Sequence, residues 1–276
     1  MLVGGLGLSR LSLGTDVAIA DAAPQPQTVP ARLAAPTLVR GGQPGAGPRT
    51  EQIGRSRGGQ PLTIFQIGTG RQHILILGGQ HGAPEANSVV LTDAILDTFT
   101  AHPGAVPKSI TLDILTLANP DGLLAGSRQY LSGVDPNRNW DEADWQPDAY
   151  DSLGRFGEGL GGPAPMSEPE TRLLAAWIMK RRPALVINYH SAGGLVSTRQ
   201  PGLADDLSSL YADAGAYPYY GPDDDAFWYP ITGAMDGWLA ARQIPDIFVE
   251  LSTPYDAEVD DNLAGLTAVL EAMASA

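Results

Sequence analysis

From about residue 51 onward the chain alternates between two hydrophobic rhythms. Residues 61–67 and 72–77 are short runs rich in Ile, Leu and Phe, separated by Gly68, Thr69 and Gly70, and they read as the two strands of a hairpin. Residues 84–99 carry Ala, Val, Leu and Ile at helical spacing, with Pro84 suited to a first helical turn. A strand is predicted over 109–117, then a helix over 168–179 that opens at Ser167-Glu168-Pro169-Glu170, close to a capping box. A buried strand over 184–189, a helix over 233–242, a strand over 246–251 and a closing helix over 262–273 complete the pattern. Helices interleaved with apolar strands predict a three-layer α/β/α sandwich around a mixed, mostly parallel central sheet with an antiparallel edge. In such sheets ligands sit beyond the carboxyl ends of the strands, so chemistry is expected in the residues that follow them.

The N-terminal stretch breaks this rhythm. Residues 21–50 are rich in Pro, Gly, Ala and Gln and cannot bury enough apolar surface to order themselves, which predicts a disordered tail or linker over 1–50 and a folded domain over 51–276. The first residues are small and apolar, and Ala18-Ile19-Ala20 is like a signal-peptidase site, although Arg10 and Asp16 interrupt the run and a basic start is missing. A signal remnant, implying a secreted or periplasmic protein, and a plain tail, compatible with the cytoplasm, both stay open. No apolar run is long enough to span a membrane.

Composition narrows the chemistry. With 17 Lys and Arg against 31 Asp and Glu, the net charge of -14 argues against a nucleic-acid partner, since no basic surplus is there to neutralise phosphates. There are no cysteines, so disulfides, thiolate metal sites and thiol nucleophiles are excluded. Any metal must be held by Asp, Glu or the four histidines, His73, His81, His102 and His190. The expectation for the oligomeric state is a monomer.

Polar groups follow several of the predicted strands. Residues 73–80 lead to His81-Gly82-Ala83-Pro84-Glu85, 185–189 to His190-Ser191, 246–249 to Glu250, and the strand ending at Leu117 to Asn119-Pro120-Asp121-Gly122. His81 and Glu85 flank a helix start and could face one ion, with His190 as a third ligand. Two His and one Glu leave a fourth tetrahedral position for water, as in a catalytic zinc site. Taken singly, each is equally compatible with a hydrogen-bonded residue at a helix start or strand end. Glycines beside His81 and after His190 allow close backbone approach. Glu250 interrupts an apolar strand, so it has either a structural partner or a chemical task such as that of a base beside a metal. The loop from Arg128 to Trp140 carries two arginines and several Asn, suited to carboxylate binding or to ordinary Asx turns.

These pieces together resemble the carboxypeptidase A-like zinc metallocarboxypeptidases, and more closely their short bacterial members. The matching segments run in the family's order: Ile53-Gly54-Arg55-Ser56, the His81/Glu85 pair, Asn119-Pro120-Asp121-Gly122, Gly133 to Trp140, Ser167-Glu168-Pro169-Glu170-Thr171, His190-Ser191, Thr232-Gly233-Ala234-Met235-Asp236 and Val249-Glu250-Leu251. The resemblance implies one zinc ion held by His81, Glu85 and His190. It implies Glu250 as general base, Arg128 as the group that stabilises the oxyanion, and Asn137 with Arg138 as the pair that binds a terminal carboxylate. Tyr229 corresponds to a mobile tyrosine over the substrate, and Met235 to the position that sets preference for the terminal side chain.

Two features depart from the best-known members. Three residues, not two, separate His81 from Glu85, and Ala83 stands where carboxypeptidase A carries an arginine. The activity implied is hydrolysis of C-terminal peptide bonds, with peptides or peptidoglycan-derived peptides as substrates. A zinc deacylase or cell-wall peptide amidase on the same scaffold is the alternative enzyme reading. A non-catalytic binding module is the third, disfavoured because ligands, base and arginine are all retained.

Overall fold

The computed structural model describes residues 47–275, so the expected tail and signal remnant lie outside the described residues except at their last positions. There the first strand, β1 (Arg49–Arg55), already begins, two residues ahead of the expected boundary. It is followed by β2 (Pro61–Gly68), β3 (Gln72–Leu77), α1 (Ala86–Ala101), β4 (Ile110–Leu115), α2 (Pro120–Ala125) and the short pair β5 (Ala149–Tyr150) and β6 (Phe156–Gly157). Then come α3 (Pro169–Arg181), β7 (Leu185–Ser191), β8 (Leu195–Ser197), α4 (Leu203–Gly215), β9 (Tyr219–Tyr220), α5 (Met235–Ala240), β10 (Asp246–Leu251) and α6 (Val259–Ser275).

The main sheet has eight strands in the order β1-β2-β4-β3-β7-β10-β8-β9. Its interior strands β4, β3, β7 and β10 are parallel, while β1, β2 and β8 join by antiparallel pairing. The sandwich is the one the periodicity predicts, because strands buried on both faces alternate their apolar side chains between two cores. Ile74 and Ile76 of β3 enter one core, against α1, α4 and α6; Leu75 and Leu77 enter the other, against α3 and α5.

The expected hairpin of residues 61–67 with 72–77 does not form. The hairpin partner of β2 is β1, and β4 lies between β2 and β3. The connection 69–71 instead crosses the start of β4, where Gly70 approaches so closely that a Cβ would lie 2.0 Å from the Ile110 nitrogen. A hairpin would have left the apolar 74–77 run of β3 beside an edge; moving it inward buries both faces of that run.

The parity of β7 and β10 places the polar groups. Ile187, Tyr189, Val249 and Leu251 point into one core, so Asn188, His190, Phe248 and Glu250 point to the opposite face. His190 pairs in register with Glu250. A one-residue slip of either strand would turn these groups into an apolar layer.

Candidate active site

His81 and Glu85 emerge from the loop after β3, which is zipped to the loop after β4 by Ala118 N–H to Gly78 O at 3.0 Å and Asn119 N–H to Gly79 O at 2.9 Å. Between the two, Gly82 adopts φ +55° and packs against Gly122 and Ser127, where a Cβ would lie 2.3 Å from the Ser127 carbonyl oxygen. That close approach lets the short 83–85 turn begin beside His81, so three intervening residues still bring the two side chains together. His81 Nδ1 lies 2.7 Å from Glu85 Oε1. His190, at the end of β7, puts its Nδ1 3.1 Å from His81 Nδ1 and 3.1 Å from Glu85 Oε2.

All three side chains are buried and their ligand atoms converge on one point. An imidazole N–H bonds well to a carboxylate, but two ring nitrogens 3.1 Å apart that share one carboxylate also make a natural cation site. Tetrahedral bonds of about 2.0–2.2 Å from N and O ligands separate those ligands by roughly 3.3 Å. The donor set therefore fits zinc. Burial opposes the Glu85 charge, but His81 and His190 hold its carboxyl well below the ordinary range. Burial lowers the pKa of His190, favouring the neutral imidazole that a metal needs.

The surroundings orient these ligands. His81 Nε2 faces both Asp135 Oδ1 at 3.2 Å and Arg128 Nη2 at 3.0 Å; donation to Asp135 selects the Nε2–H tautomer, which leaves Nδ1 free to ligate. Burial opposes the Asp135 charge as well, and Arg128 and His81 hold it well below the usual carboxylate range. His190 has no such partner at Nε2 among the described residues; its ring stacks on Phe248 at 4.5 Å instead. The Ser191 N–H donates to Glu85 Oε2 at 3.3 Å.

Arg128 closes one side. Asn119 caps α2 by accepting from Gly122 N–H, and its Nδ2 donates to the carbonyls of Arg128 and Gln129, which fixes this arginine's backbone. The guanidinium donates from Nε to Asp135 Oδ2 at 2.8 Å and from Nη1 to Glu85 Oε1 at 2.7 Å. Glu250 lies opposite and accepts from Gly193 N–H at 3.1 Å. Burial, and then the nearby Glu85 charge, push its carboxyl up to about 8, against the pull of Arg128.

Asn137 and Arg138 lie further along the same loop. Arg138 is only 2% exposed, yet it forms no ion pair among the described residues. Its Nε donates to Tyr150 O at 2.9 Å and its Nη1 to Asn137 O at 2.7 Å. Tyr229 is half-buried and within the electrostatic reach of Arg138, Arg128 and Glu250, so it faces the same opening. Burial raises its pKa and keeps it in the neutral, donating form. Met235 is 1% exposed, within the apolar cluster of Trp140 and Trp238. Beside Tyr229 is a cavity of about 290 Å³ whose lining includes Ser197, Arg199, Asp224, Asp225, Phe227 and Asp236.

The structure thus gathers His81, Glu85, His190, Arg128 and Glu250 at one point, with Asn137, Arg138 and Tyr229 around it. Sequence reasoning gave no separate role to Asp135, Asn119 or Phe248. The first two stand inside motifs quoted for the resemblance, and a carboxylate in the arginine-bearing loop is the expected partner for a ligating histidine. Phe248 carries no sequence signal beyond strand patterning.

Comparison with known proteins adds to this geometry. Residues 48–260 match the zinc carboxypeptidase family. The chain is 35% identical over 224 residues to murein peptide amidase A of Escherichia coli strain K12, covering 78% of this chain and 85% of that protein. It is 25% identical over 230 residues to carboxypeptidase SOL1 of Arabidopsis thaliana, covering 69% of this chain and 43% of the other. The crystal structure of murein-tripeptide amidase from Escherichia coli O157 superposes with a TM-score of 0.63 at 27% identity, over 83% of this chain and 93% of that one. Bovine thrombin-activatable fibrinolysis inhibitor shares the fold, with a TM-score of 0.72 at 18% identity over 83% of this chain and 90% of that one.

Proposed function

The chain belongs to the zinc carboxypeptidase family, and from that premise we propose that it removes the terminal residue of a murein-derived peptide by hydrolysing the amide bond before it. The family is zinc-dependent and its members hydrolyse peptide bonds; the substrate class is the part that goes beyond the family. The observation that carries the reading is the buried Arg138 guanidinium. A buried cation is costly unless an anion meets it, and among the described residues Arg138 hydrogen-bonds only to main-chain carbonyls, with the Asp135 charge acting on it through space. A substrate carboxylate supplies the missing anion, beside the amide of Asn137 and under Tyr229.

His81, Glu85 and His190 would hold the metal. Zinc there supplies Lewis acidity, polarising a carbonyl and making water acidic near neutral pH. Glu250 takes the proton of the attacking water and returns it to the departing nitrogen. Arg128 donates to the oxygen on which charge develops, in a site where burial strengthens the interaction. Asn137 and Arg138 orient the terminal carboxylate, so the bond attacked is the one before the last residue.

Identity to a murein peptide amidase over most of both chains supports the murein reading. The cavity beside Tyr229 supports it too: Arg199, Asp224, Asp225 and Asp236 suit a terminal side chain with a charged end better than a plain apolar one. The test is incubation of the zinc-loaded protein with murein tripeptide, with and without chelator, followed by mass. Loss of the terminal residue that chelator abolishes is the expected result. Trimming of ordinary peptides with the murein tripeptide left intact would overturn the substrate class and keep the carboxypeptidase. Intact substrates of both kinds would overturn the reading in favour of a deacylase or a binding module.

A further inference from the structure

The loop that carries Asn137 and Arg138 also grips the segment that carries Tyr229 and Met235. This segment enters α5 through residues 233–235, whose N–H groups are all accepted by side chains of that loop. Gly233 donates to Asp144 Oδ1 at 3.0 Å, Ala234 to Glu142 Oε2 at 2.8 Å and Met235 to Asn137 Oδ1 at 2.9 Å. Trp140 N–H returns a bond to Gly233 O at 2.9 Å.

The middle clasp is the most constrained. The Glu142 carboxylate lies against Gly237, where a Cβ would stand 1.6 Å from Oε1, so α5 has room for it only because residue 237 lacks a side chain. Its Oε1 accepts from Arg199 Nη1 at 3.2 Å. Arg199 in turn pairs through Nε with Asp236 Oδ2 at 2.7 Å and reaches Ile231 O with Nη2 at 3.5 Å. Asn137 gains its orientation from the same turn. With Oδ1 committed to Met235 N–H, its Nδ2 donors are left for an anion. A shift of the turn would release the Asn137 amide and move Tyr229 with it.

We propose that Glu142 is a positioning residue for substrate binding: by holding the 233–235 turn it fixes the Asn137 amide and the Tyr229 segment relative to Arg138. The proposal rests on the reading that Asn137, Arg138 and Tyr229 bind the substrate. Arg199 keeps the clasp closed. Burial, helped by Asp236 and Asp144, pushes the Glu142 carboxyl up to about 7, and the guanidinium opposes that rise.

The test compares zinc-loaded Glu142→Ala, Glu142→Gln and Arg138→Met with murein tripeptide as probe, together with amide hydrogen exchange and bound-zinc content. Losing a cap-like acceptor is expected to raise KM about tenfold in Glu142→Ala, with kcat within about twofold and zinc content unchanged. Exchange across 229–237 speeds up while β7 and β10 stay protected. Glu142→Gln keeps the acceptor for Ala234 N–H but gives up the one for Arg199, so both readouts fall between those of the wild type and Glu142→Ala. Unchanged exchange and KM in Glu142→Ala overturn the proposal, and so does a Glu142→Gln variant that is as impaired as Glu142→Ala. A joint fall of kcat, zinc content and core protection also overturns it, because that marks a general structural defect. Should Glu142→Ala fail to fold, Arg199→Met loosens the clasp; because Arg199 also lines the cavity beside Tyr229, exchange decides, and wild-type exchange across 229–237 in that variant overturns the proposal. If Arg138→Met leaves KM unchanged, the substrate-binding reading falls instead, and exchange in Glu142→Ala still decides whether Glu142 holds the turn.

Discussion

Asp135 reaches the far side of the His81 ring, with its Oδ1 3.2 Å from Nε2, while its Oδ2 accepts from Arg128 Nε at 2.8 Å. One buried carboxylate thus contacts the histidine and anchors the arginine. Asp135→Asn should weaken zinc binding by about 10–100-fold, as loss of a histidine's hydrogen-bonding carboxylate commonly does. Competition against a chromogenic chelator measures this. Wild-type zinc affinity in the variant would show that the pair does not orient the ligand.

Arg128→Ala should lower kcat by about a hundredfold or more, the usual cost of losing one donor to a developing oxyanion. Zinc affinity should stay the same or rise, since a cation bonded to Glu85 competes with the metal for that carboxylate. Turnover and metal content measured on one preparation separate the two effects; near-normal turnover would exclude the role.

If Arg138 receives the substrate's carboxylate, capping that carboxylate as an amide should cost about 10–100-fold in kcat/KM, the worth of one or two hydrogen bonds to a charged group. Arg138→Met should process free and capped peptides alike. Discrimination that survives in the variant would place the selectivity elsewhere.

Asp246 opens β10 fully buried, and burial, then the charge of Asp236, push its carboxyl up to about 8 against hydrogen bonds from Gln200 and Thr198 and the pull of Arg199. Its folded pKa lies above the ordinary value of 3.8, so the folded chain holds a proton that the unfolded chain has released. Its contribution is present at low pH and is lost as pH rises through about 8. Between about pH 6.5 and 8.5 the unfolding midpoint should fall by several degrees, and Asp246→Asn, which imitates the protonated acid, should fall less. Parallel pH profiles for the two proteins would refute this.

Much of the candidate site was legible along the chain because its groups stand where apolar strands end. Glu250 breaks an apolar run, and His81 and His190 follow closely on two others, a pattern visible in one dimension. The Glu142 clasp and the Phe248 stack left no such trace. Both are contacts between segments far apart in the chain, made by residue types that are common on surfaces and in strands.

The sequence by itself determined the alternation of strands and helices, the layered α/β architecture and the candidate ligands His81, Glu85 and His190. These follow from local periodicity and from side-chain chemistry that no packing can change. Only the tertiary structure decided that β2 turns back on β1 while β3 moves inward between β4 and β7, because strand order depends on which faces need covering. It also decided that His190 and Glu250 stand side by side on one face, since register between strands is set by the cores on either side of the sheet. The partnership of Asp135 with His81 and the burial of Arg138 without an ion pair among the described residues were likewise settled in three dimensions, where burial makes a charge without a direct partner costly and so informative.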